Sequence, residues 1–423
     1  MVQQRHLFIA APLRDERRSE LEALLASMNR LPGQADPANS LLPFGQLAEL
    51  HVARFVIMDD PSLADRATLG TSLPASEPVY LAFIADFDGD EALFLDALVA
   101  LADTGLRRIF ACCTDFARGS DLLAWLRAHR VPTAANYVNW IGRTARQIGE
   151  EQALHEALRS ARIAHPDAAP EALLPLLREA ARAVPLTPIA SPTLGERLGD
   201  WFDLLLLPVL ALILSPLLLI GMIPFILWLR WRETHDAVLA PVPDRARNNM
   251  LSGIEDHDIT NQYSAIGSLK PGLPRRWLTV VILWIINWGA RHLYPRARLA
   301  RVNTIHFASW TFLDDKRRVY FASNYDGSRE AYNDDFINKV AFGLNVSFSN
   351  GLGYPRTDWL IVGGARHEQD FKRYLFHHQI PTQVWYKAFP GLSNYDMARN
   401  ARIRAGLEQP LSGEALRRWI AEI

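Results

Sequence analysis

The sequence predicts an α+β protein: two copies of one β-α-β-β-α-β unit, separated by an apolar helical insertion. Three observations carry this. Matched blocks recur in the same order in both halves, strand-like and helix-like hydropathy alternate within each block, and one long uncharged run lies between the halves.

The repeat is read directly from the residues. "LHVARFVIMDD" (50–60) answers "IHFASWTFLDD" (305–315), which sets His51 opposite His306 and Asp59-Asp60 opposite Asp314-Asp315. "YLAFIADFDG" (80–89) answers "VYFASNYDG" (319–327), and the copies continue at a constant offset to "GLRRIF" (105–110) and "GLNVSF" (343–348). "RVPTAANYVNWIG" (130–142) answers "QIPTQVWYKAFPG" (379–391).

Within the first copy, "HLFIAAPL" is a short apolar run suited to a buried strand, and "RDERRSELEALLASMN" has apolar residues at helical spacing. A strand pair follows at 51–58 and 79–87. Then come a helix ("DEALFLDALVALAD"), a strand ("RRIFACCTDF"), a helix ("SDLLAWLRAH") and a last strand ("TAANYVNWI"). This order predicts a ferredoxin-like plait, an antiparallel sheet with helices on one face. In the second copy the opening strand is "QYSAIGSLK" (262–270) and its helix spans 274–294, with a proline in the first turn. That helix carries 14 uncharged, mostly apolar residues, 277–290. A helix apolar all round is buried in protein or faces lipid, and this one is too short to span a bilayer. Its tryptophans, Trp277, Trp284 and Trp288, suit an interfacial position; cover by the 151–200 region is the alternative.

The central run, "LLLLPVLALILSPLLLIGMIPFILWL" (204–229), would be about 39 Å long as one straight helix, more than a hydrocarbon core of roughly 30 Å. Two plaits pairing edge to edge must share one side of a membrane, so the run is expected to turn back; a single crossing, which requires that the plaits do not pair, and burial in a larger protein core are the alternatives. Pro208, Pro216 and Pro224, with Ser215 and Gly221, offer the breaks. The domain boundaries expected are 1–150 for the first repeat, 151–200 for a helical, proline-rich linker, 201–232 for a re-entrant or monotopic membrane segment, and 233–261 for a polar loop. The second repeat is expected over 262–410 and a C-terminal helix over 411–423. Arg230 and Arg232 follow the run while Asp200 and Asp203 open it, which predicts the cytoplasmic face of a membrane.

Composition narrows the function. A formal charge of −1 and no basic stripe with interleaved aromatics argue against nucleic acid. The adjacent Cys112 and Cys113 have no partners elsewhere, which points to a reducing compartment and excludes a disulfide framework or a cysteine metal site. Only five of the 45 basic residues are lysine, as expected of a bacterium with arginine-biased codons. No phosphate loop, His-Glu-x-x-His, Gly-x-Ser-x-Gly or dinucleotide fingerprint is present.

Tandem plaits pairing into a barrel resemble the dimeric α/β-barrel superfamily, and within it the dye-decolourising peroxidases and chlorite dismutases, which bind haem between sheet and helices. The peroxidases carry Gly-x-x-Asp-Gly; this chain has Ser323-Asn324-Tyr325-Asp326-Gly327 and Ala85-Asp86-Phe87-Asp88-Gly89, with the first glycine replaced in both. The resemblance implies Asp326 as an acid-base group for peroxide, and Asn324 and Arg356 are further catalytic candidates among the polar residues of the second copy. His306 and His378, with Tyr354, are then the cofactor-binding candidates. The residue-level alternatives are helix capping for Asp326 and structural roles for the histidines. His257 in "GIEDHDITNQ" reads as part of a solvated turn. Two functional readings follow: a membrane-surface, haem peroxidase-like oxidoreductase acting on a lipid or other apolar small molecule, or a non-catalytic membrane-anchored barrel that binds a lipid, an apolar ligand or a partner protein.

Overall fold

The computed structural model describes residues 3–117, 119–189, 191–239, 241–242, 244–294 and 302–423, without the side chain of Leu218. Residues 295–301, inside the expected second repeat, lie outside the described ones.

The chain is mixed α+β. Its first half runs β1 (Gln4–Pro12), α1 (Arg18–Ala26), β2 (Leu50–Met58), β3 (Tyr80–Asp88), α2 (Glu91–Phe110), α3 (Leu122–Ala128), β4 (Thr133–Val138) and α4 (Ala145–Ala164). Two helices follow, α5 (Pro170–Arg182) and the long α6 (Leu194–His235). The second half runs β5 (Thr260–Ser268), α7 (Leu273–His292), β6 (Ile305–Leu313), β7 (Arg318–Asp326), α8 (Arg329–Phe348), α9 (Glu368–His378), β8 (Val384–Lys387) and α10 (Asn394–Leu407), and α11 (Gly413–Glu422) ends the chain.

One sheet has the order β1-β3-β2-β8, continued by a short hairpin of Gly33–Ala35 and Asn29–Leu31; the other has the order β5-β7-β6-β4. Each half therefore lends its last strand to the other half's sheet, whereas the sequence predicts each last strand within the sheet of its own half. The lending is reciprocal: Val384 and Tyr386 of β8 complete the apolar core of the first half, and Ala135 and Tyr137 of β4 complete that of the second. On the way, each chain segment bonds to the opening strand of its own half. Val131 N donates to Phe8 O at 2.8 Å, and Ile380 N donates to Ser264 O at 2.8 Å. The edges of β1 and β5 are thus covered.

Between the sheets lies a mixed layer. Phe8, Val56, Met58 and Ile84 meet Ile266, Leu313, Tyr320 and Ala322, while the buried Arg54 crosses from β2 to donate to Tyr263 O at 2.8 Å and Ser323 O at 3.2 Å. The other face of each sheet carries helices.

Matched positions behave alike at several places. Gly89 and Gly327 both turn with positive φ, 93° and 87°, directly before α2 and α8. Both helices are interrupted at the equivalent residue, Ala102 (φ −133°, ψ 23°) and Val340 (φ −140°, ψ 23°). Continuation beyond Ala102 corrects one expectation: "RRIFACCTDF" is not a strand. Leu106, Ile109 and Phe110 recur at helical spacing, bury against the sheet, and carry α2 on to residue 110. Cys112 and Cys113 are buried thiols just beyond its end.

Two further expectations are corrected. The 151–200 region is more than a linker: Leu154, Leu158, Leu173 and Leu177 pack with Ile403, Leu416 and Trp419 in a helical core of α4, α5, α10 and α11. The apolar run does not break into two half-helices either. α6 is continuous over 42 residues with Pro208, Pro216 and Pro224 inside it. Each proline removes only one backbone donor, and its neighbours keep the ladder. Within α6, Leu194–Leu217 is long and apolar enough to cross a membrane; an 18-residue window of it has mean hydropathy 1.8 and no buried residue.

Both ends of α6 are held against α7. Near its start, Asp203 O accepts from Trp288 Nε1 at 3.0 Å, and Asp200 and Asp203 pair with Arg291. At its end, Asp236 pairs with Lys270 at 3.0 Å and with the buried Arg275. The stretch from Asp203 to Asp236 is about 50 Å of helix, set against about 24 Å from Arg275 to Arg291 on α7. Residues 208–224, between these two attachments, are nearly all exposed.

Candidate ligand-binding site

The two halves differ most in what fills the space between sheet and helices. In the first half, segment 36–47 threads Leu41, Leu42, Phe44 and Leu47 into that space, and Phe44 stacks on Tyr386 at 5.0 Å. Gly105 of α2 permits this, because a Cβ there would sit 1.9 Å from Leu41 O. In the second half no described residue plays that part. The equivalent glycine, Gly343, instead lines a cavity of about 450 Å³ between β5-β7-β6-β4 and helices α7, α8 and α9.

Period-2 alternation along the strands decides which side chains face it. Phe321 of β7, Ala308 and Trp310 of β6, Tyr263 and Ala265 of β5 and Tyr137 of β4 look toward the helices, which supply Ile286, Tyr332, Phe336 and Phe348. Ile285 of α7 and Phe342 of α8 line the cavity and are also exposed, so it reaches the surface between these two helices. Trp277, Val281, Trp284 and Ile285 recur at helical spacing as one exposed stripe of α7 on that surface. The size lies within the range typical of small-molecule sites.

Three buried polar atoms on the lining have no hydrogen-bond partner: Trp310 Nε1, Asn333 Nδ2 and His378 Nε2. His378 is fixed in place. Its Nδ1 donates to Tyr374 O at 2.8 Å, its ring lies 4.1 Å from that of Tyr374, and a Cβ on Gly267 would be 2.4 Å from its Cδ2. Because a carbonyl only accepts, the Nδ1 bond leaves Nε2 as a bare lone pair. Burial lowers the imidazole pKa to about 4, so the ring is neutral.

The sequence-predicted residues are scattered. Asp326 and Asn324 lie at even positions of β7, on the face opposite the cavity. Asp326 is fully engaged: it accepts from His306 Nε2 at 2.6 Å, Thr260 Oγ1 at 2.7 Å and the backbone N of Asn394 at 2.7 Å. Burial pushes its pKa up, but His306 and the three donors outweigh it and hold the carboxyl below its ordinary value. The first half repeats the device: Asp88 accepts from His51 Nε2 at 2.9 Å and from the backbone N of Ala145 at 2.6 Å. Both aspartates thus receive the first N–H of a following helix, α10 or α4. Ser328, rather than Asp326, caps α8. A bulge in β2 and in β6 aims the two histidines, and both line a small void of about 40 Å³.

Arg356 donates to Thr234 O at the end of α6, and the buried Tyr354 donates to Asn345 Oδ1 at 2.9 Å. Of the six predicted site residues, His378 alone lines the large cavity. Trp310, Asn333, Phe336 and Phe342 line it without belonging to any motif of the sequence. Their signal was present in the repeat: along the gapless offset, Asn333 stands where the first half has Leu95, and Ser347 where it has Ile109.

His378 offers the nitrogen a haem would need, but the rest of the lining does not suit that group. Among the described residues around the cavity there is no Lys or Arg for propionates and no Asp or Glu for peroxide. No group of three or more metal-ligating side chains occurs among the described residues. Comparison with known families, curated proteins and solved structures finds no match to the chain.

Proposed function

We propose that this protein is a membrane-associated binding protein that takes an apolar ligand from the bilayer into the cavity of its second half. In this reading the core is a pair of ferredoxin-like repeats exchanging their last strands, in the manner of a dimeric α/β barrel. The observation that carries the reading is the cavity itself: positions that form a packed core in the first half enclose about 450 Å³ in the second. Its mouth, at Ile285 and Phe342, lies on the surface that carries the apolar stripe of α7. Exposed Leu212, Ile213, Leu217 and Ile220 on α6 extend the apolar surface far beyond what a soluble monomer shows, as a lipid-facing anchor would. The basic residues at the end of α6 favour the cytoplasmic side, although Arg230 also pairs with Asp358 at 2.6 Å.

The peroxidase-like reading has less support, because Asp326 and His306 are bonded to each other on the far face of the sheet. The test is to purify the protein in lipid nanodiscs and identify co-purifying small molecules by native mass spectrometry. A retained apolar ligand is expected, and Ala308→Trp, which fills the cavity from β6, should abolish retention while the fold persists. Equal retention by the variant would place the ligand elsewhere. A Soret band in the same sample, lost in His378→Phe, would overturn the reading in favour of haem.

A further inference from the structure

The cavity wall is not uniformly apolar, and its polar atoms are specific. At matched positions the first half presents hydrocarbon: Phe55 where the second has Trp310, Leu95 where it has Asn333, Ile109 where it has Ser347. These first-half residues are packed against neighbours; their counterparts surround an empty volume. Two of the polar replacements keep an unused donor, Trp310 Nε1–H and Asn333 Nδ2–H, and His378 keeps an unused acceptor, Nε2. All three side chains are more than nine-tenths buried. Leaving such groups unpaired costs about 1 to 3 kcal/mol each, so a ligand that pairs with them is strongly preferred over one that does not.

We infer that the ligand is a neutral, long-chain molecule bearing a hydroxyl, such as a long-chain alcohol or another uncharged hydroxylated lipid, and that Asn333 and His378, on the adjacent helices α8 and α9, select its polar end. This rests on the binding function proposed above. A hydroxyl can donate to a lone-pair nitrogen and accept from N–H groups, so it matches both kinds of vacant partner. A carbonyl would serve the donors and leave His378 unpaired. A carboxylate or phosphate would bring a charge to a wall whose described residues include no cation, and an unpaired buried charge is far costlier than an unpaired dipole. His378 cannot supply that charge, since burial keeps it neutral down to about pH 4. A plain alkane would fill the volume but satisfy none of the three atoms.

The experiment is equilibrium retention of isotope-labelled hexadecanol, palmitate and hexadecane by the full chain in nanodiscs, at pH 8, with empty nanodiscs as the blank. Hexadecanol should be retained at least tenfold more tightly than palmitate or hexadecane. Asn333→Leu installs the residue that the first half carries at this position, so packing is tolerated, and it should cut the preference several-fold while hexadecane retention holds or rises. His378→Phe should act in the same direction. Equal retention of the three probes, or an undiminished preference for hexadecanol in Asn333→Leu, overturns the hydroxyl selection and leaves the apolar cavity standing. Tightest retention of palmitate overturns it likewise. Retention of no probe above the blank overturns both this inference and the binding function beneath it.

Discussion

At the scale of single residues, identical chemistry does different work on the two faces of one sheet. His306 and Asp326 are each other's partners and hold the start of α10, so Asp326→Asn is expected to weaken a helix start rather than remove an activity. His378, on the cavity face, lacks a partner for Nε2 and titrates accordingly. Its folded pKa, about 4, lies below the ordinary 6.5. The unfolded chain therefore gains this proton first as pH falls, and stability drains away between pH 6.5 and pH 4. The loss attributable to this one group is about 3 kcal/mol. Comparing denaturant midpoints at pH 7 and pH 4.5 should show a shallower acid loss in His378→Phe than in the parent chain. An identical slope would mean that His378 is not held neutral.

At the scale of elements, α6 is fastened by a few buried polar groups at its end. Glu233, almost wholly buried, accepts from Thr357 Oγ1 at 2.9 Å and from the backbone N of Trp359 and Leu360 at 2.8 Å. Those two residues sit at φ 58° and 63°, a left-handed conformation that non-glycine residues hold only when their surroundings insist. Glu233→Ala strands the two N–H groups and should cost about 2 to 3 kcal/mol locally, read as fast amide exchange and new protease cleavage at 357–361. Unchanged protection there would show that the turn stands without the carboxylate. The exposed middle of α6 behaves in the opposite way. Ile213→Glu with Ile220→Glu touches no packed neighbour, so melting of the core should hardly move. Flotation with vesicles should fail, because each buried carboxylate would cost about 3 kcal/mol at membrane depth. Unimpaired flotation would mean that α6 is not the anchor.

At the scale of the whole molecule, strand exchange makes the halves inseparable. Val384 is the clearest case: it belongs to the second half in sequence and to the first half's core in space, with no exposure. Val384→Ala should cost on the order of 2 kcal/mol. It should also lower amide-exchange protection of β2, more than three hundred residues earlier in the chain, to which β8 is paired. Protection loss confined to β8 and α10 would contradict the coupling. One cooperative unfolding transition is expected for both sheets, since neither has its full complement of strands without the other.

Sequence by itself determined the α+β class, most of the strands, and the apolar character of α6 and α7. These follow from hydropathy period and from turn and cap residues, all local in the chain. Whether "RRIFACCTDF" continued a helix and which sheet received β4 and β8 were decided by tertiary contacts. Local propensity leaves those choices nearly even, and burial of a face tips them. The candidate site shows the same division. Asp326 drew attention because its motif is short and recognisable, yet strand parity turns it away from the cavity. Asn333, Trp310 and His378 stand out only once packing shows that 36–47 fills the first half and no described segment fills the second. An empty volume is a property of how elements meet, and no stretch of sequence carries it alone.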